Sequence, residues 1–161
     1  MSKLAYLAVI IALTAGLAAG YWYFGNSGNG NEKSIKSVAF DRAVTVYKGK
    51  YCGCCNLYTE YLRSRGYKVD VVEVQNIIEM QRELGIPSEM ASCHTSVTNG
   101  YIVVGHVPVE AIDELLKNKP HIKGISLPGM PSGSPGMPGE KKGPFVIYIL
   151  SDSGRKVFMK L

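Results

Sequence analysis

The sequence predicts an α/β protein, a central mixed sheet with flanking helices, preceded by an N-terminal transmembrane helix. Three observations carry this reading. Leu4 to Phe24 is apolar, with no charge and no proline. Beyond it, β-branched runs alternate with segments of helical periodicity. The first of those runs passes at Gly49 into Tyr51-Cys52-Gly53-Cys54-Cys55-Asn56, which opens a helical pattern.

The apolar run from Leu4 to Phe24 is long enough to span a bilayer as a helix. Lys3 is the one charge before it, which favours an N-terminus left in the cytoplasm. Tyr21-Trp22-Tyr23-Phe24 reads as an aromatic belt at the far interface. Cleavage of a secretory signal near Ala18-Ala19-Gly20 is the competing reading. Under either, the rest of the chain is extracytoplasmic, on the periplasmic side, anchored to the inner or cell membrane or released after cleavage. Residues 1–25 are therefore the anchor or signal segment. Residues 26–40 are a linker, because the glycine- and asparagine-rich stretch from Gly25 to Asn31 is too polar to fold. Residues 41–161 are one folded domain. The net charge of +5 is scattered rather than gathered in runs, and basic residues are not interleaved with aromatic ones, so nucleic acid is not an expected partner.

Within the domain, Ala43 to Tyr47 is a β-branched strand. Leu57, Tyr58, Tyr61 and Leu62 recur at helical spacing, and Gly66 is placed to end that helix. Lys68 to Val74 is a second strand, and Ile77 to Leu84 a short helix closed by Gly85 and Pro87. Ser92-Cys93-His94-Thr95 is expected in a loop, followed by a third strand from Tyr101 to Gly105. Pro108 starts a helix whose apolar face is Ala111, Ile112, Leu115 and Leu116. Phe145 to Leu150 and Lys156 to Leu161 form a hairpin around Asp152-Ser153-Gly154.

Three of the chain's four cysteines stand within four residues, and the fourth, Cys93, is beside His94. Cys52 and Cys55 have the Cys-x-x-Cys spacing of thiol redox sites. Cys52 and Cys54 have the Cys-x-Cys spacing that lets a loop grip a soft metal. Two structural disulfides are a further reading for an extracytoplasmic chain. It is weakened because the vicinal Cys54 and Cys55 can pair with each other only in a strained geometry. A strand running into Cys-x-x-Cys at a helix N-terminus resembles the thioredoxin fold. The free N–H groups and partial positive charge of that helix end favour thiolate, the form that attacks disulfides and binds metal. Thioredoxin-like oxidoreductases usually carry a cis-proline facing the cysteines. Here that place falls to the Cys93-His94 segment, which counts against general oxidoreductase activity.

Leu127 to Glu140 repeats Pro and Gly, which excludes helix and central strand. Its Met130 and Met137 are soft thioether donors of the kind that suit Cu(I); packing on the domain is the plain alternative. His106, at a strand–helix junction, is a metal ligand or a backbone cap. His121 reads as an exposed loop histidine, and Met80 and Met90 as packing residues. No tyrosine is given a role.

Cys52-Gly53-Cys54-Cys55, Ser92-Cys93-His94-Thr95, Gly100-Tyr101 through Gly105-His106-Val107-Pro108, and Pro128-Gly129-Met130 through Pro135-Gly136-Met137 occur in this order. Together they resemble a metal-binding domain-of-unknown-function family that includes the periplasmic copper-resistance CopG proteins. The resemblance covers about residues 43–160. It implies a thioredoxin-like fold, copper bound through Cys52, Cys54, Cys55 and Cys93, and a role in copper resistance. His94, His106, Met130 and Met137 are further metal candidates. Relatives often carry tryptophan and histidine where this chain has Tyr58 and Tyr61, and glutamate where it has Val104, so no histidine of that helix is a ligand here.

The functional expectation is an extracytoplasmic copper-binding protein that sequesters or redox-converts Cu(I), with more than one ion within reach of four crowded thiolates. Its partners are copper ions, the membrane, and a copper-delivering or copper-exporting protein. No residue is given a catalytic role in this reading. The alternative is a thiol–disulfide oxidoreductase with Cys52 attacking and Cys55 resolving. A four-cysteine zinc site or an iron–sulfur cluster fits poorly, because three cysteines in four residues make the ligand geometry awkward.

Overall fold

In the computed structural model, which describes residues 41–161, the domain opens on β1 (Ala43–Gly49). Val44 and Val46 point into the core with the period of two that a strand imposes. The chain turns at Lys50 and Tyr51 into α1 (Gly53–Ser64). That helix buries Cys55, Tyr58, Thr59 and Leu62, one stripe at the spacing of a helix face. It stops at Gly66, whose positive φ of 84° lets Tyr67 N–H reach back to the Leu62 carbonyl at 3.1 Å. β2 (Lys68–Val74) then runs parallel to β1 over its whole length and forms one edge of the sheet. The segments read at residues 1–40, membrane span and tether included, lie outside the described residues. Among the described residues no helix is long and apolar enough to cross a membrane.

Asn76 caps α2 (Ile77–Glu83) by accepting the Glu79 N–H at 3.0 Å. A short 3₁₀ turn (Ser88–Met90) leads to β3 (His94–Thr98) and β4 (Tyr101–Val104). α3 (Val109–Asn118) follows, then β5 (Gly124–Ser126), a long loop, and the pair β6 (Val146–Ile149) and β7 (Lys156–Lys160). The result is a mixed α/β fold whose seven strands lie in the order β2-β1-β3-β4-β5-β6-β7. β1–β2 and β4–β5 pair parallel; the other neighbours pair antiparallel.

Two apolar clusters show how the helices are layered. The larger joins Val46, Tyr58, Leu62, Val103, Ile112, Leu115, Ile125 and Ile147, so α1 and α3 cover one face of the sheet. The smaller joins Ile86, Met90, Val104 and Leu150, so the chain around α2 and the 3₁₀ turn covers the other. Adjacent residues Val103 and Val104 fall in different clusters, as strand alternation requires.

Two strands depart from the sequence expectation. His94–Thr98 is not a loop but the strand between β1 and β4. Its polar composition hides it, because four of its five residues are buried: Thr98 Oγ1 donates to the Ala43 carbonyl at 2.8 Å and Thr95 Oγ1 accepts from Gln81 at 3.0 Å, while Ser96 Oγ is buried with no hydrogen-bond partner among the described residues. β5 is only three residues long, with no apolar alternation to reveal it. β1 also runs two residues beyond the expected end at Tyr47, to Gly49.

Candidate metal centre

The C-terminal end of β1 delivers the cysteine run to the first turn of α1. Cys52 caps that helix without a side-chain hydrogen bond, and no acidic residue occupies the first turn. The helix end therefore keeps its partial positive charge beside the sulfurs. Cys52 and Cys55 Sγ are joined as a disulfide. Cys54 is free, with its Sγ 3.6 Å from Cys52 Sγ. Cys52 also borders a cleft of about 630 Å³ lined by Lys50, the highly exposed Tyr51, Glu73 and Gln75.

The fourth sulfur arrives along the sheet. β3 pairs with the end of β1, placing His94 opposite Lys48, so the residue just before β3 stands beside the first turn of α1. Cys93 Sγ lies 3.9 Å from Cys54 Sγ, and Cys55 Sγ lies 3.6 Å from the Cys93 carbonyl oxygen. A buried glutamine fixes this segment. Gln81 of α2 accepts the Ser92 N–H at 3.2 Å, and donates to the Ser92 carbonyl at 2.9 Å and to Thr95 Oγ1 at 3.0 Å. Both ends of the amide are used, so the backbone on either side of Cys93 is held in one place.

Two buried imidazoles complete the centre. His94 Nδ1 is 3.3 Å and His106 Nε2 3.2 Å from Cys93 Sγ. His106 Nδ1 meets the Pro135 carbonyl at 2.7 Å. A carbonyl only accepts, so Nδ1 carries the proton and the neutral ring turns its Nε2 lone pair toward Cys93. Among the described residues His94 Nε2, which is buried, has no hydrogen-bond partner. Tyr58 forms the floor beneath both rings, with centroids 4.5 Å from His94 and 5.4 Å from His106, and its hydroxyl donates to the Val107 carbonyl at 2.8 Å.

The Pro/Gly-rich loop is a strap across this centre. Gly136 has a φ of 79°, and a Cβ there would stand 2.7 Å from Tyr58 N and 3.0 Å from the Cys54 carbonyl oxygen. Only glycine permits that approach. The strap thus rests on the first turns of α1 and hands the Pro135 carbonyl to His106.

Burial, reinforced by the neighbouring Cys54, pushes the Cys93 thiol up to about 12. It is a protonated thiol at neutral pH, and metal binding there must displace its proton. Burial and the adjacent His106 push His94 down to about 3, with the Gly105 carbonyl acting in the opposite sense. Burial also lowers His106, opposed by the Pro135 carbonyl. Both rings are thereby kept neutral, which is the form that coordinates metal.

The expected residues fall into two groups whose donor atoms lie within 4.8 Å of one another. One is Cys52, Cys54, Cys55 and Cys93; the other is Cys93, His94 and His106, and Cys93 belongs to both. Four soft sulfurs so close together match the ligand preference of Cu(I). With Cys52 and Cys55 joined, that bond must be reduced before all four act as thiolates. Met137 follows Gly136 and is half-buried where the strap meets α1; Met130 is 40 % exposed on a left-handed backbone with φ of 45°. His121 is exposed, as expected of a loop histidine, and Met90 is a core residue.

Gln81, Tyr58 and the Pro135 carbonyl are parts of the centre that the sequence reading missed. For Gln81 a signal existed: it is a polar residue four positions after Ile77, on the side of a short amphipathic helix that faces inward. Tyr58 was legible as part of the apolar face of its helix, but its packing against two histidines distant in sequence was not.

Comparison with known proteins agrees with this arrangement. Residues 90–137, which carry Cys93, His94, His106 and the strap, match the family profile described as "Protein of unknown function, DUF411". No curated protein matches by sequence. Among solved structures, "Copper resistance protein copG- Form 2" is 35% identical, covers 74% of this chain and 97% of its own, and superimposes with a TM-score of 0.67. "Copper resistance protein copG- Form 1" is likewise 35% identical over 74% of this chain and 96% of its own, with a TM-score of 0.66. From the motif-bearing segment and the likeness of the whole folded domain, the chain belongs to the DUF411 family.

Proposed function

We propose that this is an extracytoplasmic copper-binding protein that sequesters or redox-converts Cu(I) in copper resistance or homeostasis. The observation that carries the reading is the meeting of four sulfurs, three from the start of α1 and one from the start of β3, within 4.8 Å. A structural disulfide pair does not call for a fourth thiol held by a buried glutamine and two imidazoles. The likeness to proteins described as copper resistance proteins points the same way. The fold is read as thioredoxin-like: β1, α1 and β2 form a parallel unit, antiparallel β3 and β4 follow, and Cys93 takes the place just before β3 that faces the Cys-x-x-Cys.

Loading begins from the reduced chain. The four sulfurs give up their protons as Cu(I) binds, and the +1 ions balance the accumulating thiolate charge. Crowded thiolates bridge metals, so the site takes more than one Cu(I). Met137, at the strap, is a further soft donor; His94, His106 and Met130 remain metal candidates. In the full chain, residues 1–25 would anchor the domain to the membrane or serve as a cleaved signal. Residues 26–40 would tether it, so that residues 41–161 meet copper and a delivering or exporting partner outside the cytoplasm.

The test is a competitive titration of the reduced chain with a Cu(I)-selective chelator, repeated with Zn(II). Cu(I) is expected to win at equal free metal. Preference for Zn(II) would overturn the reading. A second reading, thiol–disulfide oxidoreductase, is favoured by one observation: Cys52 and Cys55 form a disulfide at a helix N-terminus. It predicts disulfide reductase activity that needs neither Cys54 nor Cys93.

A further inference from the structure

We propose that the cleft beside Cys52 is the docking surface for a dithiol protein, which opens the Cys52–Cys55 disulfide by attacking Cys52 and so prepares the chain for Cu(I). The proposal rests on the Cu(I) reading, in which that bond must be reduced before all four sulfurs bind. It adds the partner and the point of attack.

Three features support it. The first is access. Of the two joined sulfurs, Cys52 is part-exposed and borders the cleft, whereas Cys55 is fully buried with its Sγ 3.6 Å from the Cys93 carbonyl oxygen. Thiol–disulfide exchange depends on which sulfur an incoming thiolate can reach. Here Cys52 is the sulfur open to attack, and Cys55 is the leaving one. The second is the rim of the cleft. Tyr51, next to Cys52, is 92 % exposed, a large aromatic ring left in water beside a reactive bond. Tyrosine is among the residues that anchor protein partners. Glu73, whose carboxylate meets the buried Lys48 ammonium at 3.3 Å, and Val74, at the end of the edge strand β2, line the same cleft. At about 630 Å³ it has room for side chains of a partner, not for a small thiol alone. The third is Cys54, whose free thiol is 3.6 Å from Cys52 Sγ. A monothiol joined to Cys52 would be expelled by Cys54 or by the released Cys55, leaving the chain oxidised. A partner with a second thiol escapes this, because that thiol is already held beside the mixed disulfide it must break.

The exchange runs in two steps. The partner's thiolate bonds to Cys52 Sγ, the Cys52–Cys55 bond breaks, and its electron pair goes to Cys55 Sγ, which takes up a proton. The uncapped start of α1, where both sulfurs stand, favours the thiolate that leaves. The partner's second thiol then loses its proton and attacks its own first sulfur. Cys52 departs as a thiolate and takes up that proton. Two electrons and two protons have passed to the chain, and the partner carries the disulfide. One dithiol is consumed for each chain made ready, whereas an oxidoreductase would turn over.

The test uses the full chain carrying the Cys52–Cys55 disulfide, without copper. Reduced thioredoxin is the protein probe and dithiothreitol the small one. A Cys-x-x-Ser variant of the probe protein, acid-quenched and mapped by mass spectrometry, should be found joined to Cys52, with Cys55 free to be alkylated. Tyr51→Ser should slow reduction by thioredoxin at least about fivefold and leave reduction by dithiothreitol unchanged. Because Tyr51 is exposed, the variant is expected to fold, and the dithiothreitol rate checks that the disulfide is intact. A mixed disulfide mapped to any cysteine but Cys52 would overturn the proposal. So would failure of thioredoxin to reduce the chain, or a Tyr51→Ser variant that slows both reductants alike or neither. The Cu(I) reading fails separately, because it is measured on chain reduced chemically beforehand.

Discussion

The two halves of the centre are made in different ways. Cys52, Cys54 and Cys55 come from one short run, sit at a helix end, and include a pair that is oxidised while its neighbour stays free. Cys93, His94 and His106 come from the ends of strands and are held by a buried frame of Gln81, Tyr58 and the Pro135 carbonyl. The first half is rich in donors and changes covalent state. The second is poor in sulfur and fixed in place. A soft-metal site needs both: local sequence supplies thiolates cheaply, but only the packed sheet can bring a distant thiol to them in a set geometry. Damage to the frame should therefore act mainly through stability and affinity, whereas damage to the run should remove donors.

Tyr58→Ala breaks the frame most severely. It empties a fully buried position under both imidazoles. Loss of about 3–5 kcal/mol of folding stability is expected, as for other large aromatic truncations, read by denaturant unfolding. Tyr58→Phe should cost only about 1 kcal/mol, since it removes one hydrogen bond to Val107. Equal losses for the two would show that the ring is not the support.

Acid should weaken the frame next. His94 is held at about 3 in the folded chain against an ordinary value of 6.5. The unfolded chain then binds the extra proton, so the stability is complete above about pH 6.5 and falls as pH drops toward 3. The slope is about 1.4 kcal/mol per pH unit, or on the order of 3 kcal/mol by pH 4. The difference between parent and His94→Gln unfolding curves across this window isolates it. Parallel curves would contradict the assignment.

Gln81→Leu should cost about 1–3 kcal/mol, because it strands the Ser92 carbonyl and N–H in the interior. It removes no metal donor, so it should lower Cu(I) affinity without changing the number of ions bound. Altered stoichiometry would mean that the two halves are less separate than the geometry says. Gly136→Ala is expected to have the smallest effect, about 1–2 kcal/mol, from a Cβ pressed on the α1 backbone at positive φ. The strap can lift away, which limits the cost; hydrogen exchange at residues 128–140 should report the lifting.

The same contrast decides what was legible in the sequence. The cysteine run was readable because spacing alone carries its chemistry. β2 and α3 were readable from β-branched content and helical periodicity: β2 has the expected bounds, and α3 starts after Pro108 and buries the expected apolar face. β3 was not, because a strand buried among polar partners has neither an apolar run nor alternation, and the hydroxyls of Thr95 and Thr98 meet residues distant in sequence, Gln81 and Ala43. The pairing of Cys93 with both histidines likewise depends on the β1–β3 and β3–β4 registers. Gly136 looked like one more loop glycine until the strap was seen lying on α1.

Cys93 is the joint between the halves, so its removal tests the central claim most directly. Cys93→Ser keeps size and polarity but deletes the one sulfur that only the long-range frame supplies. Measured on reduced protein by competition with a Cu(I) chelator, the variant should bind fewer Cu(I) ions and hold the remainder at least about tenfold more weakly, which is roughly 1.4 kcal/mol. Unchanged Cu(I) loading and affinity, together with strong disulfide reductase activity from Cys52 and Cys55, would contradict the account and establish the redox reading in its place.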